Sequence, residues 1–200
     1  MMRHIVTVIS AAVVLAFGGV ARAKTPKPVT VKVKAITAKG VGKQIGTVTI
    51  KQTAEGLELK AKLKKLSPGD HGLHIHENGS CDPADKEGVA TAGQAAGGHF
   101  DPDKTGAHKG PAGGGHKGDL PLLTVDAKGN ASGTLKVAGL TLADVLGKSL
   151  MIHEGGDNYS DTPKPLGGGG GRIACGLIGK APKSSKPADA AKAPAPTPAK

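Results

Sequence analysis

The sequence predicts an all-β domain of about eight short antiparallel strands, arranged as a sandwich or barrel and carrying two long loops. Apolar and polar residues alternate over short stretches that turn residues separate, as in strands with one buried face. Glycine is abundant, at 32 residues, whereas Trp is absent and Phe occurs only twice. This composition argues against a helical bundle and favours short strands joined by turns and loops.

The first four predicted strands precede the first long loop. Residues 29–36, 46–52 and 57–64 alternate apolar residues with threonines and lysines. We interpret these lysines as a solvated outer face that also discourages pairing at sheet edges. The turn Ser67-Pro-Gly-Asp70 then leads into the fourth strand, which contains His74 and His76.

The other four predicted strands are 120–125, 131–137, 148–153 and 172–178, and residues 141–146 form at most one helical turn. The long loops are residues 81–118 and 154–171, both rich in glycine. Loops of this length inside a compact domain are usually functional or disordered. The first contains several residues of metal-ligand type, so a metal ion could order it.

The two ends of the chain are expected to lie outside the domain. An apolar run of about 16 residues, 5–20, precedes the small residues Ala21-Arg-Ala23, which is typical of a cleaved secretory signal peptide at 1–23. A membrane anchor is the alternative, but the run is shorter than the roughly 20 residues a bilayer requires. We therefore expect an exported domain at 24–179, followed by a disordered Ala/Pro/Lys tail at 180–200.

Export to an oxidising compartment would explain Cys81 and Cys175, the two cysteines of the chain, as one disulfide. Two free buried thiols are the alternative. The tail's lysines could contact anionic envelope polymers, although a solvated tail without a partner is the simpler interpretation.

The net charge of +11 suggests a nucleic-acid ligand. The lysines are scattered along the sequence, aromatic stacking residues are almost absent, and part of the charge lies in the tails. We therefore predict no nucleic-acid partner.

A cluster of histidines is the strongest functional signal. His74 and His76 share one face of a strand because side chains alternate along it, and His153 ends a different strand. Imidazole and carboxylate groups suit copper and zinc. There are too many ligands for one ion, so we infer two sites that could share a histidine; His71 is interpreted as a packed or surface residue. The other candidate ligands are His99, His108, His116 and Asp119.

Five motifs together resemble copper,zinc superoxide dismutase of the bacterial, exported type. The resemblance runs from about residue 32 to 179, and no ligand is missing. It implies an eight-stranded antiparallel Greek-key β-barrel or sandwich, immunoglobulin-like, with one copper and one zinc per chain. The motifs are His74-Ile-His-Glu-Asn-Gly-Ser-Cys81, Ala96-Gly-Gly-His99, Gly115-His-Lys-Gly-Asp119-Leu-Pro, Ile152-His-Glu-Gly-Gly-Asp157-Asn and Gly171-Arg-Ile-Ala-Cys175-Gly.

The resemblance also implies a role for each site residue. His74, His76, His99 and His153 would bind copper, and His99 would bridge to a zinc held also by His108, His116 and Asp119. Asp157 would join a copper histidine to a zinc histidine, and Cys81 and Cys175 would form the disulfide. Arg172 would line the copper channel and guide the superoxide substrate, so that Arg172 and His99 are the catalytic candidates.

Two alternatives keep the metals but not the enzyme: a periplasmic copper and zinc store on the same scaffold, and a structural module that binds zinc alone. Arg172 speaks against a store, which needs no anion guide. His74, His76 and His153 speak against a zinc-only module. The family includes monomers and dimers, so a homodimer is left open.

Overall fold

The computed structural model describes residues 25–180. The predicted signal peptide and all but the first residue of the predicted tail lie outside these residues. Within the described part of the chain, no helix is long and apolar enough to cross a membrane.

Short strands make up most of the regular structure, and the loops add little helix. The only α-helix of the described residues, α1, spans Leu142–Val145, and the segments Gln94–Ala96 and Leu166–Gly168 are single 3-10 turns. The strands are β1 Val29–Thr37, β2 Gly40–Gln52, β3 Gly56–Leu63, β4 Gly69–His71, β5 Leu73–His76, β6 Ala84–Lys86, β7 Val89–Thr91, β8 Leu123–Val125, β9 Ala131–Ala138, β10 Ser149–His153 and β11 Arg172–Leu177.

Seven strands form one antiparallel sheet in the order β5-β10-β11-β1-β2-β3-β9, and β4 pairs with β8. Strands β1 to β3 are consecutive hairpins, and β11 returns beside β1, as in a Greek key. The predicted antiparallel Greek-key fold is confirmed. All eight predicted strands form, with the fourth divided into β4 and β5 at Gly72.

Sequence patterning missed two features. The hairpin of β6 and β7 lies inside the first long loop, where its short, polar strands carry no apolar alternation. Strand β2 begins at Gly40, whereas the predicted strand begins at residue 46. It is longer because it stays paired with β1 as far as Gly40, through two register shifts between Val33 and Ile36. The predicted helical turn is α1, and Thr141 and Asp144 cap it reciprocally.

The inner faces of the strands form one apolar core. Val33 and Ile50 of the sheet are fully buried, as are Ile75 and Ile152 beside the histidines. At about 25 cal/mol per Å² of apolar surface, burial of this layer is the main source of fold stability. The strands that carry the histidines are therefore rigid supports.

Backbone hydrogen bonds fasten both long loops to β5 and its neighbours. Ile75 accepts from the N–H of Phe100 and donates to the carbonyl of Gly118, and Gly72 donates to the carbonyl of Gly155. The predicted disulfide joins Cys81 to Cys175 of β11, which are 94 positions apart in sequence. The loops consequently meet over one end of the sheet.

Candidate metal centre

The strand register brings four histidines together. His74 and His76 lie on β5, next to β10, which ends at His153. Isolated bridges pair His76 with His99 and His74 with Asp119, and so bring the first long loop alongside β5. The histidines that the sequence spreads over 80 positions therefore meet at one end of the barrel.

Four of these rings could hold one metal ion. The donor atoms of His74, His76, His99 and His153 lie within 4.8 Å of one another, and all four residues are buried. The rings of His74 and His99 are the closest pair, with centroids 4.0 Å apart. A four-nitrogen set of this kind suits copper.

Hydrogen bonds determine which nitrogen of each ring is available to a metal ion in this group. The Nδ1 of His76 donates to the carbonyl of Gly97 at 3.0 Å, and the Nδ1 of His153 donates to the carbonyl of Gly170 at 3.3 Å. Their Nε2 atoms are buried and have no hydrogen-bond partner. Because a buried unpaired polar atom is costly, these lone pairs fit a metal ion.

A second group surrounds the carboxylate of Asp119. Its oxygens lie 2.9 Å from Nδ1 of His99, 3.0 Å from Nδ1 of His108 and 3.4 Å from Nδ1 of His116. Ligands at roughly 2.0–2.1 Å from a tetrahedral zinc would be about 3.3 Å apart. The Nδ1 atoms of His108 and His116 have no hydrogen-bond partner, so this set fits zinc.

His99 is the residue that the two groups share. Its Nδ1 faces Asp119, which leaves Nε2 for the four-histidine group. His74 also lies within reach of both groups. Its Nε2 is bound to Asp157, however, so only its unpartnered Nδ1 is available.

Asp157 links the two groups from behind. One carboxylate oxygen accepts from Nε2 of His74 and the other from Nε2 of His108, both at 2.8 Å. Each bond fixes its ring so that Nδ1 faces the metal position. Burial acts to raise the pKa of Asp157, but the hydrogen bonds from the two rings hold it well below its usual range.

Arg172 lies beside the four-histidine group at the start of β11. Its guanidinium donates to the carbonyl of Gly93 at 2.7 Å and to that of Gly97 at 2.8 Å. Burial, and next the charge of Arg172, lower the pKa of His76 well below its usual value. Two of the five guanidinium N–H groups are thus used to fix a cation near the rings.

Burial also shifts the other rings towards the neutral form. It is the main cause that lowers the pKa of His99 to about 4, despite the hydrogen bond to Asp119, and that of His153 to about 3, with a further contribution from His74. A neutral imidazole is the form that binds a metal ion. The protein therefore keeps these candidate ligands in the neutral form at neutral pH.

Several supporting groups could not be found from sequence. The carbonyl of Gly97 receives both His76 and Arg172, and Asp161 accepts the backbone N–H of His108 at 2.8 Å. The backbone carbonyls leave no signal in the side-chain pattern. His71 is buried and hydrogen-bonded to the carbonyls of His153 and Ser67, so its interpretation as a packed residue is confirmed.

A curled antiparallel sheet with two adjoining histidine groups defines a β-barrel protein with two neighbouring sites that could each hold a metal ion. The chain matches the family described as copper/zinc superoxide dismutase over residues 44–178. It therefore belongs to the copper/zinc superoxide dismutase family. The predicted family, activity and cofactors are confirmed: the protein is an oxidoreductase that dismutes superoxide and uses copper and zinc.

Similar proteins cover most of the domain. The chain is 57% identical over 149 residues to Superoxide dismutase [Cu-Zn] 2 of Salmonella typhimurium, covering 74% of this chain and 86% of the relative. It is 54% identical over 149 residues to the Escherichia coli K12 superoxide dismutase [Cu-Zn], with the same coverage. The Brucella abortus Cu/Zn superoxide dismutase structure has a TM-score of 0.75 and 50% identity, covering 76% of this chain and 99% of that one.

Acid should destabilise the metal-free protein in a defined range. An unfolded histidine has a pKa near 6.5, whereas those of His99 and His153 are about 4 and about 3 in the fold. Between pH 6.5 and 4 the unfolded chain binds more protons, so the free energy of unfolding falls as pH falls, by up to about 1.4 kcal/mol per pH unit for each histidine. Urea unfolding of chelator-treated protein measures this slope, and a flat profile across that range would contradict it.

Gly167 should be essential to the Asp157 link. Its φ is 72°, and a Cβ there would meet Asp157 Oδ1 and lie 2.8 Å from His108 Nε2. We expect Gly167→Ala to displace Asp157 and to lower zinc retention after dialysis against a chelator. Gly170→Ala is the matched control, because its φ is 70° but its Cβ would meet nothing within 4 Å. Equal zinc loss in both variants would refute the steric explanation.

Proposed function

We propose that copper binds to His74, His76, His99 and His153, and zinc to His99, His108, His116 and Asp119, with His99 shared. The observation that carries this assignment is the set of five buried nitrogens without a hydrogen-bond partner, all on these rings. In four of these five rings the other nitrogen is hydrogen-bonded to Asp157, Gly97 or Gly170. Surface histidines would show no such selection.

Bound copper supplies the redox chemistry, in which one superoxide loses an electron and leaves as O₂ while a second gains it and leaves as hydrogen peroxide after taking two protons. The chain's own contribution is to hold the rings neutral, buried and correctly oriented. His99 is the catalytic candidate among them, because its Nδ1 faces Asp119 and its Nε2 is left for the four-histidine group, whereas Asp157 occupies Nε2 of His74.

Arg172 is the second catalytic candidate, as the group that binds the anion. Its guanidinium is a permanent cation with a planar set of donors. The carbonyls of Gly93 and Gly97 occupy two donors, and the others remain for superoxide. The oriented Arg172 also favours the enzyme over a metal store, which has no use for an anion site.

Zinc and Asp157 have a structural task in this assignment. Zinc does not change its redox state, and its ligands His108, His116 and Asp119 belong to or follow the first long loop. Asp157 belongs to the second long loop and is bonded to one histidine from each group. Together they would hold both loops over the site.

The protein is proposed to act in the periplasm as a domain at 24–179, after removal of residues 1–23 near Ala23. The apolar N-terminal run, the disulfide and the bacterial relatives support this location. A homodimer and contact of the tail with anionic envelope polymers stay predictions. The related Salmonella enterica enzyme, 55% identical with a TM-score of 0.69, is described as monomeric.

Arg172→Glu should lower the dismutation rate at least about tenfold, because a carboxylate beside the copper ligands repels superoxide. Copper and zinc content should stay unchanged, since Arg172 touches backbone carbonyls and no metal donor atom. The check is dismutase activity and metal analysis on one sample. A variant with the full rate would disprove the anion-binding role.

Asp157→Asn should weaken zinc retention. The carboxylate of Asp157 accepts from two rings, one at each oxygen, whereas an amide has a single oxygen and could replace only one of these bonds. Its NH₂ group would then face the N–H of the other ring. His108 would lose its fixed orientation. We expect zinc loss at lower chelator concentration than in the unchanged protein, and equal retention would argue against the linking role.

The decisive experiment is dismutation by the chain loaded with both metals, with copper and zinc counted on the same sample. Rapid copper-dependent activity with one of each metal per chain is expected. Full occupancy without activity would support the metal store. If the chain took zinc but refused copper, the four-histidine assignment would be wrong.

A further inference from the structure

The outer surface of the sheet collects lysines that are scattered in sequence. The outward positions of β1 and β3 and the residue after β3 form what we call the lysine face: Lys32, Lys34, Lys60, Lys62 and Lys64. All five side chains are exposed. Among residues of β1, β2, β3 and β9, Glu58 alone carries a negative charge.

Within residues 25–180, these lysines form no ion pair. In the described residues, the only lysine in an ion pair is Lys117, which lies 2.9 Å from Asp103. Lysines two apart on a strand are about 7 Å from each other, within a Debye length at physiological salt. Their mutual repulsion is therefore uncompensated unless a negative ligand is present.

In one row of the lysine face, the register places a hydroxyl group between two charges. Lys32 of β1 pairs with Thr47 of β2, and Thr47 pairs on its other side with Lys62 of β3. Lys62 in turn pairs with Ser132 of β9. Neighbouring strands are about 4.8 Å apart, so Lys32 and Lys62 stand about 10 Å apart with a hydrogen-bonding hydroxyl between them.

Two open grooves border the lysine face. One, of about 700 Å³, is lined by Lys62 and Lys64 together with the polar side chains of Gln44, Asn130 and Ser132. The other, of about 510 Å³, is lined by Lys32, Lys34 and Thr30, and by the single carboxylate of Asp82. A ligand that crosses β1 to β3 could thus enter a lysine-lined groove at each side.

We propose that the lysine face binds a flexible linear polyphosphate-type polyanion, which lies across β1, β2 and β3. The surface is the outside of a curled sheet, so it suits a chain that can follow a curve. Strands β1 and β3 carry no exposed aromatic side chain, so the face lacks stacking platforms for single-stranded nucleic acid. The exposed large apolar side chains beside it are Val41 and Leu177, which line one groove, and two such side chains are a small apolar surface for insertion into a lipid layer.

The occupant would leave the enzyme active. The metal centre lies at β5 and β10, at the opposite end of the sheet order from β3 and β9. Arg172 faces the first long loop through Gly93 and Gly97. Binding on the lysine face would therefore localise the dismutase without covering its site.

The test compares two triple variants of the full chain, loaded with both metals, that lose the same charge. Lys32→Gln, Lys60→Gln and Lys62→Gln alter the lysine face, whereas Lys86→Gln, Lys128→Gln and Lys164→Gln alter exposed lysines elsewhere. The probe is end-labelled long-chain inorganic polyphosphate, and fluorescence anisotropy gives its Kd over a salt series. Unfolding midpoint and metal content confirm that both variants are intact.

We expect the face variant to bind polyphosphate at least about tenfold more weakly. The slope of log K against log salt should also become less steep by about 2 to 3, as expected for three lost phosphate contacts. The control should stay within about twofold. Equal weakening in both variants, no saturable binding by the unchanged protein, or tighter binding to phosphatidylglycerol vesicles or duplex DNA at equal phosphate concentration would each overturn the proposal.

Discussion

The carboxylate of Asp157 is the constraint on which the site depends. It accepts from His74 on a rigid strand and from His108 on a loop, at 2.8 Å each. A strand residue is positioned by the core beneath it, whereas a loop residue needs an external restraint. Asp157 transfers the precision of the sheet to the first long loop. It does so from the second long loop, which Gly72 also fastens through the carbonyl of Gly155.

This arrangement buries several polar rings, which is energetically unfavourable. His74 and His76 are fully buried, and five ring nitrogens in the site lack a hydrogen-bond partner. Such a cluster is unfavourable without bound cations, because each unpaired polar atom loses its hydration. Metal binding is therefore also folding free energy, which explains how long glycine-rich loops can keep a defined shape.

The same barrel separates its two electrostatic surfaces. Near β5 and β10, a single half-buried arginine is held by two carbonyls and gives a localised charge beside the metal ligands. On β1 and β3, exposed lysines form an extended positively charged surface, in which the hydroxyl group of Thr47 lies between Lys32 and Lys62. A localised buried charge suits a small anion, whereas a spread of mobile charges suits a long one.

The sequence by itself determined the eight predicted strands, the family and the ligand types, but not the hairpin of β6 and β7. Alternation specifies strands because side chains point to opposite faces, and the motifs around His74, His99, His116, His153 and Arg172 are specific enough to identify a two-metal enzyme. Only the tertiary structure decided which nitrogen each ring presents, because that choice rests on contacts such as the carbonyls of Gly97 and Gly170. It also decided how the lysines of the predicted outer face are arranged relative to one another, since strand register brings β1 and β3 to either side of β2. Pattern within a segment is local information, whereas distances between segments arise only when the chain is folded.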